Sequence, residues 1–524
     1  MKVKKVFSSL MALGLMTTIA ACGGGGEKAD NPNTADDQGQ EVATDGEATE
    51  GEMPQEGGES VENFDKQTTD DTLVVGVEDI NGDFIGGWTN NKTDVKARRY
   101  MGIEGNNGYS TIVQDEGGQW VNNMTVLEKE PETVKNEDGS ETTTFTIKKD
   151  LKFSDGEPIT AKNYLFGQLL SSHHSYQVVT GSTNIGADTL LGYEDYFNGD
   201  KDFLEGLELV DDYTFKATIS SDFLPYFEAD SLRGYGPFPF HAITDNLTVS
   251  EDGKKLEPTE GYQVTEEDKE RYFKNLDTSI QKAKEDFEDD WSFIETAEDV
   301  TESEKEEYET AKAEHEEKIK ELEAKKDGEV DPTELLIEDA MLREANEYRV
   351  KPTVVDGPYK FNSFANNMVK LSLNEHYAGN FKGEKATIPN IILQTVNKNI
   401  AVDLLENGNI DLWEAEVDGS KIDQMRAAAE EGKIGGYNTF ERNGYGNVTF
   451  LTDRGATKYK EVRQAIAHLM DRNSFVQSYA GGYGVVTNGM YGTSQWMYNE
   501  RGADLETNPE FKKYQLNLDA ANTL

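Results

Sequence analysis

Apolar positions along this chain change period several times, and each change predicts a different element. Val6 to Ala21 is one short apolar run, and almost nothing apolar follows from Gly23 to about Asp71. Order is expected from Thr72, where Leu73-Val74-Val75-Gly76-Val77 reads as a short buried strand. Asp79 to Trp88 follows as a glycine-punctuated loop. Thr143-Thr144-Phe145-Thr146-Ile147 alternates like a strand with one buried face. Asp155-Gly156 signals a turn. Thr160 then stands where an N-cap belongs, ahead of a helix with Tyr164, Leu165, Leu169 and Leu170 on its apolar side. Further on, Tyr308, Ala311, His315, Ile319 and Leu322 are spaced 3, 4, 4 and 3 residues apart, a thin apolar stripe on a helix. Glu314 with Lys318 and Glu316 with Lys320 support it as i,i+4 pairs.

The first run changes the picture most. Lys2, Lys4 and Lys5 precede it, small residues close it, and Cys22, the one cysteine of the chain, follows directly. That is the pattern of an export signal over residues 1–21, too short for the ~20 residues of a membrane-crossing helix. Ile19-Ala20-Ala21-Cys22 also resembles a bacterial lipobox, which implies cleavage before Cys22 and lipidation of its sulfur. The mature chain is then expected outside the cytoplasmic membrane, held by acyl chains at Cys22. Residues 22–71, polar and rich in glycine and acid, are expected to be a disordered tether. A single cysteine excludes an internal disulfide and cysteine-ligated metal sites.

Composition adds limits. Hydrophobic residues make up 36% and aromatics 10%, enough for a packed core in a chain long enough for two or three domains. The net charge of -49 argues against nucleic acid and against an anionic lipid surface. No Gly-x-Ser-x-Gly, P-loop or Rossmann fingerprint is present, so no enzyme is read here and no cofactor. His173-His174 is adjacent, and neighbours on a helix or strand point to different faces, so no metal site is expected there.

Several segments together resemble one family. Phe145 to Lys162, with its Leu151-Lys152-Phe153-Ser154-Asp155-Gly156-Glu157-Pro158 centre, looks like the signature of the family 5 extracellular solute-binding proteins, the peptide-binding components of ABC importers. Asn163 departs from the usual acid and weakens the expected capping box. Leu209 to Ile219, Asp356-Gly357-Pro358-Tyr359-Lys360-Phe361, Val369 to Tyr377, Leu404 to Asp411 and Val462 to Arg472 resemble further family motifs in order. Asp356 replaces a usual small residue, and Leu224-Pro225-Tyr226-Phe227 resembles the start of a helix.

The resemblance implies an α/β, periplasmic-binding-protein-like type II (cluster C) two-lobe fold that closes on a solute. Its expected parts are a first lobe over 72–249, an acidic helical insert over 250–350, return strands over 351–395 and a second lobe over 396–524. The insert is expected as a helical hairpin or a partner-docking arm. The family's region continues past Leu524, so a truncated sequence or gene fragment with an incomplete cleft is expected. The implied function is capture of peptides, held through their backbones, for an ABC permease, by a monomer without cofactor. Same-fold alternatives are a receptor for another solute such as a nickel complex, or a signalling or adhesion role. Candidate solute contacts are Asp83, Phe84, Gly86, Gly87 and Trp88 after the first strand, and Trp413-Glu414 at a later strand end.

Overall fold

The computed structural model describes residues 67–524 apart from 293, 295–301, 327, 415 and 441–443. The expected signal segment, Cys22 and the tether up to residue 66 lie outside the described residues, as does part of the insert. These residues fall into two compact units, one over 275–328 and the other over the remainder.

In chain order the elements that matter here begin with β1 (Thr72–Val77), α1 (Lys92–Met101), β2 (Glu132–Lys135), β3 (Glu141–Thr146) and α2 (Ala161–Ser171). Next come β4 (Leu207–Asp211), β5 (Thr214–Ile219), β6 (Leu247–Val249), β7 (Leu256–Pro258), α3 (Glu266–Trp291), α4 (Glu302–Lys325) and α5 (Pro332–Arg343). The rest are β8 (Tyr359–Ala365), β9 (Met368–Leu373), β10 (Asn390–Thr395), α6 (Ala401–Glu406), β11 (Leu412–Trp413), α7 (Gly419–Glu430), α8 (Lys460–Leu469) and α9 (Arg472–Ala480).

The main sheet has the order β8-β9-β10-β1-β11. β1 runs parallel to both β10 and β11, while β8, β9 and β10 are antiparallel neighbours. Because β1 is covered on both faces, it reads as an unbroken apolar run and does not alternate. Val75 and Val77 pack with Ala97 and Met101 of α1, whereas Val74 packs with Ala401 and Leu404 of α6. Gly76 lets the second face close: a Cβ there would sit 2.7 Å from Ile410 Cδ1 and 3.1 Å from Trp413 Cε3. β11 therefore belongs to the same sheet as β1.

A second sheet, β2-β3-β5-β4, carries α2 and the largest core, which includes Phe145, Phe215, Tyr164, Leu165, Phe166 and Leu169. The N-terminus of α2 is built as a capping box after all. The Asn163 side-chain oxygen accepts the Thr160 N–H at 2.9 Å and the Thr160 hydroxyl at 3.1 Å. Its amide then donates to Phe238 O at 3.1 Å, which a carboxylate could not do. No α-helix begins at Leu224-Pro225; only a 3₁₀ turn, Ala229–Arg233, follows.

The insert is smaller than the sequence suggests. Val249 and Leu256 of the β6–β7 hairpin and Leu336, Ile337, Ala340 and Met341 of α5 all enter the large core, so these flanks belong to the main unit. The separate unit is a helical hairpin. Lys284–Glu323, Phe287–His315 and Trp291–Tyr308 pair residues whose numbers rise on one helix as they fall on the other, the mark of antiparallel packing. The Tyr308–Leu322 stripe faces that partner helix, with Ile319 buried. Among the described residues, no helix is long and apolar enough to cross a membrane.

Candidate functional site

In an open α/β sheet, ligands bind outside the carboxyl ends of parallel strands, where the chain leaves neighbouring strands in opposite directions. β1 occupies that place. Its neighbours β10 and β11 are joined through α6, so the crossover passes over β1. Three segments leave this edge: 78–91 after β1, 396–400 after β10 and 414–418 after β11.

The segment after β1 is held by charged side chains that carry no motif. Asn91 caps α1, accepting from Thr93 N at 2.8 Å and Asp94 N at 3.1 Å. Asp94 in turn accepts the Asn81 and Gly82 N–H groups at 3.2 and 3.1 Å. Burial pushes its carboxyl above the ordinary range, against those bonds. Arg98, 2% exposed, donates to Asp83 O at 3.1 Å, Thr89 O at 2.7 Å and Glu104 at 3.2 Å. Arg349 closes the far side. Its Nε lies 2.9 Å from the Asp83 carboxylate, close enough to pair in charge although the N–H is not aligned as a hydrogen bond. Its guanidinium lies 5.0 Å over the Trp88 ring.

Each candidate residue can now be placed. Phe84 is fully buried in the core beneath the loop, where its ring packs against Phe361 and Phe364. Asp83 is engaged by Arg349. Gly86 is exposed. Gly87 has φ +104°, and a Cβ on it would meet Ser182 Oγ at 2.1 Å; its carbonyl accepts from Thr183 N at 2.7 Å. Trp88 is half-buried and donates from Nε1 to Thr180 O at 3.1 Å.

Trp413 is 8% exposed, packs in the second face of the sheet and donates to Glu416 at 3.2 Å. It is a core residue. Glu414 is one-third exposed and forms an ion pair with Lys96 of α1. Burial pulls the Lys96 ammonium below its ordinary value, while Glu414 pulls it back up. Burial, then the Glu414 charge, pushes the neighbouring Tyr100 hydroxyl up to about 12. A second pair, Lys92–Glu78 at 2.8 Å, stands at the same edge.

α1 thus organises both groups of candidates from opposite faces. Asp94 and Arg98 hold the loop, and Lys92 and Lys96 hold the carboxylates at the strand ends. The structure does not bring Trp88 and Glu414 into contact through any interaction described. Asp94, Arg98, Arg349 and Lys96 escaped sequence reasoning; for the first two, the only signal is their i,i+4 spacing on the buried face of α1.

Two concavities of about 310 and 400 Å³ lie elsewhere, one beside Trp120 and Arg233 and the other beside Lys148 and Phe381. One group of metal-capable side chains is present among the described residues: His173, His174 and Glu334. The rings of the two histidines are 4.1 Å apart, contrary to the expectation that they diverge. They occupy the turn after α2, where the geometry of helix and strand faces does not apply.

The family model for bacterial extracellular solute-binding proteins, family 5, matches residues 128–524. No curated protein matches the chain in sequence. Among solved structures, it is similar to NikZ from Campylobacter jejuni, solved with Ni(L-His), at 15% identity and a TM-score of 0.46, over 87% of this chain and 62% of that one. Lactococcal OppA, complexed with an endogenous peptide, is similar at 16% identity and a TM-score of 0.45, over 86% of this chain and 66% of that one. AppA from Bacillus subtilis, in complex with a nonapeptide, is similar at 14% identity and a TM-score of 0.45, over 86% and 62%. The chain therefore spans a little under two thirds of the length of these proteins.

Proposed function

The chain belongs to the bacterial extracellular solute-binding proteins of family 5, and from that membership we propose that it captures a peptide at the carboxyl edge of β10, β1 and β11 and hands it to an ABC permease. Anchoring by a lipid on Cys22 after removal of residues 1–21 completes the reading. No covalent bond changes in this process.

The observation that carries the proposal is the position of β1 at the switch point. Its loop is stitched in place by Asp94, Arg98 and Arg349 through contacts within the protein itself. A loop already ordered loses little further entropy on binding, which favours affinity. Of the candidate contacts, Gly86, Gly87, Trp88 and Glu414 remain accessible enough to serve. Gly86 leaves the backbone open to close approach, the part of the Trp88 ring that Arg349 does not cover offers stacking, and Glu414 offers a carboxylate to a peptide amine. Phe84, Asp83 and Trp413 act one step behind, as packing and positioning residues.

Native mass spectrometry of the full-length protein tests the reading. A co-purifying peptide released on denaturation is the expected result. Trp88→Ala is expected to weaken binding of that peptide about tenfold, the scale of one lost aromatic contact, ~1–1.5 kcal/mol. Unchanged affinity would remove Trp88 from the site. Time-dependent cleavage of added peptide would contradict a purely binding role.

A further inference from the structure

We propose that His173, His174 and Glu334 form a binding site for a first-row divalent transition-metal ion, with Zn²⁺ the fitting probe. The site is separate from the strand edge described above and does not depend on the function proposed for it.

Each of the three residues offers one ligand atom, and these atoms lie within 4.8 Å of one another. Nε2 of His173 is 3.8 Å from Glu334 Oε1. Two imidazoles and a carboxylate are a donor set that suits Zn²⁺ and its neighbours, with further positions left for water. Ligand bonds of ~2.0–2.1 Å around one ion would place the donors ~3.3 Å apart, so the cluster must contract on loading. His174 and Glu334 are both partly exposed and can make that movement, while His173 is 5% exposed and fixed.

The frame around His173 is rigid. Its N–H donates to Leu170 O at 3.2 Å, its carbonyl accepts from Tyr176 N at 2.9 Å, and the Tyr196 ring meets it edge-on at 5.9 Å. Glu334 sits in the first turn of α5, behind the Asp331 cap and Pro332. In the metal-free ring, His173 Nδ1 accepts the Ser175 N–H at 3.3 Å, which leaves the proton of the neutral ring on Nε2, facing Glu334. Loading at Nε2 moves that proton to Nδ1 and gives up this long contact.

An ion held here would join the turn after α2 to the start of α5. Those two elements are about 160 residues apart in sequence, and α5 is where the chain rejoins the main unit after the helical hairpin. The ion would act as a clamp, not as a reagent.

The test uses the full-length chain, stripped with a chelator and titrated calorimetrically with Zn²⁺ in excess Mg²⁺, so that scattered surface carboxylates are already occupied. One tightly bound Zn²⁺ per chain is expected, and it should raise the melting temperature. His174→Ala and Glu334→Gln should each weaken binding at least tenfold without changing the far-ultraviolet circular dichroism of the metal-free protein. Co²⁺ on the wild-type chain should give visible ligand-field bands, a readout that needs no variant. Absence of stoichiometric Zn²⁺ binding, equal affinity in the wild type and both variants, or a Co²⁺ spectrum identical to the aqueous ion would overturn the proposal.

Discussion

α2 and α8 are helices of nearly equal length, eleven and ten residues, and the fold treats them in opposite ways. Seven of the eleven residues of α2 are buried, among them Tyr164, Phe166 and Leu169 at 0% exposure. α8, which contains the Val462 to Leu469 part of a motif very close to the family pattern, has no buried residue. Leu469 at its end and Phe475 and Tyr479 on α9 are more than half exposed. The difference lies in the neighbours. α2 is covered by the second sheet and by β6 and β7, whereas α8 packs mainly on the 3₁₀ turn Ala456–Lys458 and the helix Leu518–Thr523. A periodic stripe licenses a helix, but burial is conferred by what the rest of the fold lays across it.

The contrast can be broken or sharpened by substitution. Leu169→Ala in α2 removes a fully buried side chain from the largest core and is expected to cost about 3 kcal/mol in urea unfolding. A loss under about 1 kcal/mol would mean that this core is looser than its burial indicates.

A smaller effect of opposite sign comes from Glu344, buried beside Tyr176 in the turn after α5. Burial pushes its carboxyl up to about 8, with the Tyr176 hydroxyl opposing. The folded chain therefore holds a proton that the unfolded chain releases near its ordinary value of 4.5. Stability from this group is present below that value and is lost as pH rises toward 8. Asp356, pushed up to about 7 by burial, adds a slope of the same sign over a lower window. Glu344→Gln is expected to stabilise the protein at pH 8 by about 2 kcal/mol relative to wild type, roughly half of the ~4 kcal/mol that ~1.4 kcal/mol per pKa unit gives at that pH, because the buried amide keeps a desolvation cost of its own, and to leave stability at pH 4 nearly unchanged. Equal stability of the two proteins at both pH values would contradict this account.

The smallest effect is expected at Ile466→Ala in α8, about 0.5 kcal/mol or less, because its side chain is not buried. A loss matching that of Leu169→Ala would erase the contrast between the two helices.

The same division explains what the sequence disclosed. β1, the strand around Phe145, the cap at Thr160 and the stripe from Tyr308 to Leu322 are local patterns, and all four were legible. The acidic flanks of the insert were misassigned because composition hid the few apolar residues, Val249, Leu256 and the Leu335 to Met341 run, that carry them into the core. Phe84 and Trp413 looked like solute contacts because one stands in the loop after the first strand and the other at a later strand end, yet whether an aromatic ring turns inward depends on side chains distant in sequence, such as Phe361 for Phe84 and Val74 for Trp413. Asp94, Arg98 and Arg349 had no motif at all. Their role exists only once the loop is folded back onto α1, and a single-residue reading of charge in a chain this acidic gives no way to select them.

Hydrogen exchange across the full-length chain, with and without the peptide it co-purifies with, tests the central claim most directly. The account predicts new protection in residues 78–91 and 414–418, with α2 and its core unchanged. Protection that leaves both of those segments untouched, and appears only elsewhere, would contradict it.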